Sequence, residues 1–153
     1  MKKKISFVML LFCGGLVQAG ELVQAVWTQQ ALRYTGYSAC ATLHDAAYSV
    51  LDAVEARDVR IWCSYTSADL QFSSLQEKTT QSYPPSVEGV WLPTELTYNR
   101  NGPECSELSD ALDWLLSHLA VRNVQYSVFC QGGTGYLHYA FEALIPMPHF
   151  EQH

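Results

Sequence analysis

The chain has 153 residues, of which 48% are hydrophobic and 16% are charged, with 9 Lys+Arg against 15 Asp+Glu. This length is typical of one domain, and the composition is too apolar for an intrinsically disordered chain. The formal net charge of −6 disfavours nucleic-acid binding, because a protein that binds phosphates needs a basic surface. After the N-terminus no uninterrupted apolar run is long enough to predict a membrane-spanning segment.

Residues 1–19 predict a secretory signal peptide. Three lysines follow Met1, an apolar run covers 5–17, and Val17-Gln18-Ala19 places small residues where a signal peptidase cleaves. The short basic start favours export to a bacterial periplasm, with secretion into the medium as the alternative. Cleavage after Ala19 would leave six Lys and Arg against fifteen Asp and Glu, a formal charge of −9 (6 minus 15).

The rest of the chain predicts an internal repeat. With a shift of 65 residues, 40–59 aligns with 105–124, and seven of the twenty positions are identical. The alignment pairs Cys40 with Cys105, and upstream, with a shift of 64, it pairs Trp27 with Trp91. We therefore predict a first copy over 20–80, a linker over 81–89, and a second copy over 90–153 that ends in a short tail.

Each copy predicts strand, helix, strand, strand. In the first copy we expect strands near 25–34, 59–63 and 69–74, and in the second copy near 90–98, 124–130 and 136–145. In 90–98, Pro93 favours an edge strand or a late start. Apolar residues recur at helical spacing from Leu43 to Val54 and from Leu108 to Leu119. Thr42 and Asp45 resemble a capping box, and Asp110 would place the matching charge in the first turn of the second helix. The predicted fold is α+β: two tandem βαββ repeats, pseudo-symmetric, with helices packed on one side of an antiparallel or mixed sheet.

The four cysteines after the signal peptide predict two disulfides in an oxidising compartment. A strand, a crossover helix and a parallel strand return the chain to the edge of the sheet that it left. Cys40 would then lie beside Cys63, and Cys105 beside Cys130. Pairing between the two copies is the lesser alternative.

No catalytic or metal-binding pattern stands out in the sequence. The cysteine spacing does not fit CxxC redox or zinc sites, and His149 and His153 lie in a proline-containing tail. His44-Asp45 resembles one element of a phosphohydrolase site but lacks its other ligands. Gly-rich 131–135 predicts a hairpin connection rather than a phosphate loop. We predict no cofactor, no metal and no catalytic residue, although a pair of carboxylates acting as in a glycosidase stays open.

The second predicted helix carries a tryptophan outside its apolar stripe. At 100° per residue, Trp114 lies about 135° from the centre of that stripe, and its counterpart in the first copy is Ser49. We predict that Trp114, flanked by Asp110 and Asp113, binds a basic protein partner, with Trp114 packing against the other copy or a loop as the alternative. On the first helix, the residues predicted for the same binding surface are Asp45, Tyr48 and Asp52.

These features favour an exported, disulfide-stabilised protein that binds another protein, with an inhibitor or an immunity protein against a toxin or a wall-degrading enzyme as examples. The second class is a periplasmic module that binds a small molecule or glycan through its many aromatic side chains. A hydrolase and a structural envelope component remain as further alternatives.

Overall fold

A computed structural model describes residues 6–12, 15–35, 39–64, 66–79 and 85–147. It contains seven strands and two helices in these ranges. In chain order they are β1 (Ser6–Phe12), β2 (Gly15–Thr35), α1 (Ala39–Ala53), β3 (Arg57–Cys63), β4 (Ser67–Glu77), β5 (Val87–Tyr98), α2 (Pro103–Leu116), β6 (Val121–Gln131) and β7 (Thr134–Pro146).

All strand pairs of the sheet are antiparallel. The order is β3-β4-β2-β5-β7-β6, and β1 pairs with β2 off this path. The two central strands, β2 and β5, each precede a helix, and each helix leads to a strand at an outer edge. Since β4 lies between β2 and β3 and is antiparallel to both, β2 and β3 run in the same direction.

Both helices pack on one face of the sheet. The apolar stripes of α1 and α2 are buried there, together with alternate residues of β4 and β7 such as Leu70, Phe72, Leu137 and Tyr139. The helices also contact each other. The main core therefore contains side chains from both halves of the chain. The antiparallel sheet with two helices on one face confirms the predicted α+β class.

A smaller apolar cluster lies on the opposite face of the sheet. It is formed by Ala25, Leu75, Trp91 and Leu144, with Trp27 packed against it. The Arg57 guanidinium carbon lies 3.9 Å from the centroid of the Trp27 ring, and that of Arg122 lies 4.3 Å from the Trp91 centroid. Each guanidinium thus covers an indole on a face that no helix covers.

The predicted disulfide pairing is confirmed. Cys40 is bonded to Cys63, with their Cα atoms 5.2 Å apart, and Cys105 to Cys130, with Cα atoms 5.6 Å apart. In each case a helix start is joined to the far end of an edge strand. The pairing follows because β4 lies between β2 and β3, and β7 between β5 and β6, with every pair antiparallel. The strands before and after each helix are therefore parallel, and both cysteines lie at the same end of the sheet.

The strands are longer than the sequence predicts. β4 extends to Glu77, β6 starts at Val121, and β5 starts at Val87, so residues 87–89 of the predicted linker belong to the sheet. Pro93 does not mark an edge strand, because β5 lies between β2 and β7. However, the described pairing of β5 with β2 ends at Trp91, so the proline lies where only β7 is paired.

The helix starts also differ from the predictions. α1 begins at Ala39, so Thr42 lies inside the helix, and the side chains of Thr42 and Asp45 lie outside the described part. α2 begins at Pro103, with Gly102 before it in a left-handed conformation (φ 72°). Asp110 is therefore in the middle of α2, and the acidic residue of its first turn is Glu104. The predicted tail with His149 and His153 lies outside the described residues.

Candidate functional site

The outward surface of the two helices, here called the helical layer, carries charge of one sign. The sequences of α1 and α2 contain no Lys or Arg. Their acidic residues are Asp45 and Asp52 in α1, and Glu104, Glu107, Asp110 and Asp113 in α2. Of these, Asp52, Glu104, Asp110 and Asp113 are exposed. The helical layer therefore produces a negative field that is not neutralised within either helix.

The opposite face of the sheet carries most of the arginines. Arg33 donates to Asp69 with an Nε–Oδ1 distance of 2.7 Å. Arg122 donates to Glu21 at 2.9 Å and to Glu142 at 3.2 Å. Arg57 covers Trp27. The arginines thus lie on the face away from the helices, where Asp69, Glu21 and Glu142 pair with them, whereas the carboxylates of the helical layer have no Lys or Arg on their own helices.

Trp114 is half-buried and does not stand free on the helical layer. Its ring centroid lies 5.0 Å from that of Tyr34, at the end of β2, and 5.0 Å from that of His118. The His118 Nδ1 atom lies 2.8 Å from the carbonyl oxygen of Trp114. The tryptophan therefore joins α2 to a strand of the other half of the chain, which is the alternative that the sequence left open. Because the side chain is only partly buried, its exposed part can still contribute to a surface.

The carboxylates beside Trp114 are close enough to affect one another. Burial, and then the charge of Asp110, raise the pKa of the Asp113 carboxyl, while a hydrogen bond with Tyr139 lowers it. Burial, followed by the charges of Asp110 and Glu107, likewise raises the pKa of the Tyr34 hydroxyl. The cluster thus holds more negative charge than it can neutralise internally.

Of the residues predicted on α1, Tyr48 and Asp52 are exposed. Tyr48 is exposed, and its ring makes an edge contact with His44 at a centroid distance of 5.1 Å. Asp52 is exposed one turn further along. The side chain of Asp45 lies outside the described part of the structure. Ser49, at the position aligned with Trp114, accepts a hydrogen bond from the Tyr98 hydroxyl at 3.0 Å.

Sequence reasoning missed Tyr34 and Glu107 as members of this cluster. A signal for Tyr34 was present, because the shift of 64 residues that aligns Trp27 with Trp91 also aligns Tyr34 with Tyr98. Tyr34 contacts α2 and Tyr98 contacts α1. Each of these tyrosines therefore packs against the helix of the other half.

Most of the tryptophans are not available to stack on a ligand. Trp27 and Trp91 are covered by arginines, and Trp114 packs against Tyr34 and His118. Of the four tryptophans, only Trp62 has a largely exposed side chain. A sugar-binding platform formed by several indoles therefore finds little support in this arrangement.

Within the described ranges, no group of three or more His, Cys, Asp or Glu is placed to hold a metal ion. Neither described helix has the length and apolar character needed to cross a membrane. No protein-family model matches the chain, and searches of curated proteins and of solved structures gave no match. The function is therefore inferred from the chemistry of the protein surface.

Proposed function

We propose that this protein is exported and binds a basic protein partner through the acidic surface of its helical layer, centred on Asp110, Asp113 and the open edge of Trp114. An inhibitor or immunity protein that blocks a basic toxin or wall-degrading enzyme is the role that fits best. The observation that carries the proposal is the separation of charge. Six carboxylates and no cation belong to the two helices, while arginines lie on the opposite face.

Such a surface suits recognition rather than stability. Burial and, after it, the charge of Asp110 raise the pKa of Asp113, so ionisation of this carboxyl raises the free energy of the folded protein. A basic partner would neutralise these charges and would be steered to the site by the negative field. The aromatic pair Trp114–Tyr34 would supply apolar contact area at the centre, where binding energy concentrates in protein interfaces.

Two further parts of the proposal concern the origin and location of the chain. We propose that residues 20–153 consist of two βαββ copies. The strand order β3-β4-β2-β5-β7-β6 supports this. In each half the first strand is central, the third strand lies beside it, and the second strand lies at the edge. We also propose that 1–19 is a signal peptide for the periplasm. Two disulfides support an oxidising destination. Cleavage after Ala19 would remove β1 and the first five residues of β2.

Site-specific photo-crosslinking in living cells tests the proposal. A photoreactive amino acid would replace Asp52, Asp110 or Ser117, which are exposed on the helical layer, or the exposed sheet residues Gln71 and Glu95 as matched controls. We expect adducts with one basic protein from the helical positions only. Adducts formed only from the sheet positions, or none from the helical layer, would reject the proposed binding surface.

A further inference from the structure

The two edge strands of the sheet differ sharply in chemistry. β3, at one edge, has seven residues, of which Arg57, Asp58 and Arg60 are charged. β6, at the other edge, has eleven residues, and its segment 123–131 contains no Asp, Glu, Lys or Arg. Proteins commonly protect an edge strand from pairing by shortening it and placing charges on it. β3 shows this protection, and β6 beyond Arg122 does not.

Large apolar side chains are also exposed along β6. They are Val124 (40%), Tyr126 (61%), Val128 (36%) and Phe129 (52%), with Tyr136 (40%) beside them on β7. Tyr126 and Val128 lie on the face that carries the helices, beside their partners Tyr139 and Leu137, whereas Phe129 and its partner Tyr136 lie on the opposite face. The open strand is therefore apolar on both faces, and a strand added beside it would find apolar neighbours on either side of the sheet.

The hydrogen-bonding groups of this edge point outward at alternate residues. β6 and β7 are joined by a two-residue hairpin, in which Gln131 pairs with Thr134. The backbone N–H of Gly135 donates to Asn101 Oδ1, away from β6. Its partner Cys130, and with it Val128 and Tyr126, therefore direct their N–H and C=O groups to the free side of the strand. No strand among the described residues pairs with that side.

We propose that β6 pairs with β6 of a second copy of this chain and forms a symmetric dimer with a continuous sheet. A register centred on Val128 pairs all seven residues from Gln125 to Gln131, which are the regular part of β6 after its bulge. It gives about six hydrogen bonds between the copies. Tyr126 of each copy lies opposite Cys130 of the other.

Charge favours a second copy over a different partner at this edge. The protein is acidic, with a formal charge of −6 for the full sequence, so the overall charge of two copies opposes their association. Pairing through 125–131 places no like charges opposite each other, and a basic partner would find no carboxylate on these residues. The contact is smaller than the ~800 Å² per partner of a standard interface, so the dimer is weak and depends on concentration.

The symmetry has a consequence for the helical layer. When identical strands pair in antiparallel orientation, the two-fold axis is perpendicular to the sheet. The helices of both copies therefore lie on the same side of the extended sheet. A dimer would present two acidic surfaces to one side and bind a partner with two sites more tightly than a monomer.

Sedimentation of the exported protein from about 1 to about 300 µM, converted to a dissociation constant, tests the proposal. Val128→Pro removes one outward N–H without changing charge, and Phe129→Lys adds a charge to the edge. Trp62→Lys is the matched control, because Trp62 precedes Cys63 on β3 as Phe129 precedes Cys130 on β6. Circular dichroism and a melting curve verify the fold of each variant.

We expect a concentration-dependent dimer for the wild-type protein and for Trp62→Lys, and at least tenfold weaker association for both β6 variants. If Val128→Pro does not fold, Phe129→Lys decides the result. A wild-type protein that stays monomeric throughout would overturn the proposal and leave this edge to an extended segment of another protein. Loss of the dimer in Trp62→Lys, with Phe129→Lys unaffected, would overturn it as well.

Discussion

The ring of Trp114 in α2 packs against the ring of Tyr34 at the end of β2, with centroids 5.0 Å apart. This contact connects the helix of the second half to the first strand of the first half. Burial in this contact, followed by the nearby charge of Asp110, raises the pKa of Tyr34. One residue pair thus contributes both to the packing of the fold and to the proposed binding surface.

Trp114→Ala should lower the free energy of unfolding by about 2 kcal/mol, less than for a fully buried tryptophan because the ring is half-exposed. Trp114→Phe keeps a ring against Tyr34 and should retain most of that stability. Urea unfolding monitored by circular dichroism measures both. Equal stability of Trp114→Ala and the wild-type protein would show that the indole does not support the fold.

Of the two arginines that cover tryptophans, Arg122 should contribute more to the free energy of unfolding than Arg57. Arg122→Met removes the contact with Trp91 and the ion pairs with Glu21 and Glu142, and should cost about 2 kcal/mol. Arg57→Met removes the contact with Trp27 from a more exposed arginine and should cost about 0.5–1 kcal/mol. Urea unfolding in low and high salt compares them, and only the Arg122→Met difference should shrink with salt. The reverse order would contradict this reading of the sheet face.

Alkaline pH should destabilise the protein through Tyr139. Burial raises the pKa of the Tyr139 hydroxyl to about 12 and outweighs the hydrogen bond with Ser109, which lowers this pKa. The neutral hydroxyl therefore stabilises the fold below pH 10, and this contribution is lost as the pH rises towards 12, because the unfolded chain releases the proton first.

The free energy of unfolding should fall more steeply between pH 10 and pH 12 for the wild-type protein than for Tyr139→Phe. The difference in slope should be on the order of 1 kcal/mol per pH unit. Tyr48→Phe removes an exposed tyrosine and serves as the control. Parallel curves for the wild-type protein and Tyr139→Phe would contradict the raised pKa.

Loss of either disulfide should cost about 3 kcal/mol in the chain-entropy model, because the closed loops are of similar length. Cys105 is fully buried in the main core, whereas Cys63 is exposed. Replacement of Cys105 and Cys130 by alanine should therefore cost more than the same change at Cys40 and Cys63. Equal losses in urea unfolding would show that burial of Cys105 adds nothing to the loop constraint.

The sequence predicted features that depend on local periodicity and on chain direction. The apolar spacing from Leu43 to Val54 gives α1, and the crossover argument gives both disulfides. The sequence does not predict where the strands end. The pairing of β5 with β2 from Val87 onward, for example, depends on a distant strand rather than on local residues.

The environment of Trp114 was also beyond the sequence pattern. A helical wheel measures the angle between a residue and the apolar stripe of its own helix, but it does not show which strand end lies beside that helix. Tyr34 fills that place from 80 positions earlier in the chain. Glu107 was missed for the same reason, since its effect on Tyr34 arises only from the packing of β2 against α2.

Calorimetry in low and moderate salt measures the affinity for the cross-linked partner and shows whether the acidic helical layer binds it. We compare Asp110→Asn/Asp113→Asn with Glu88→Gln/Glu95→Gln, which removes two exposed charges from β5. Neutralising Asp113 should not harm the fold, because burial already disfavours its charge. We expect at least tenfold weaker, less salt-dependent binding for the helical variant and unchanged binding for the sheet variant. Equal affinities for the two variants would contradict it.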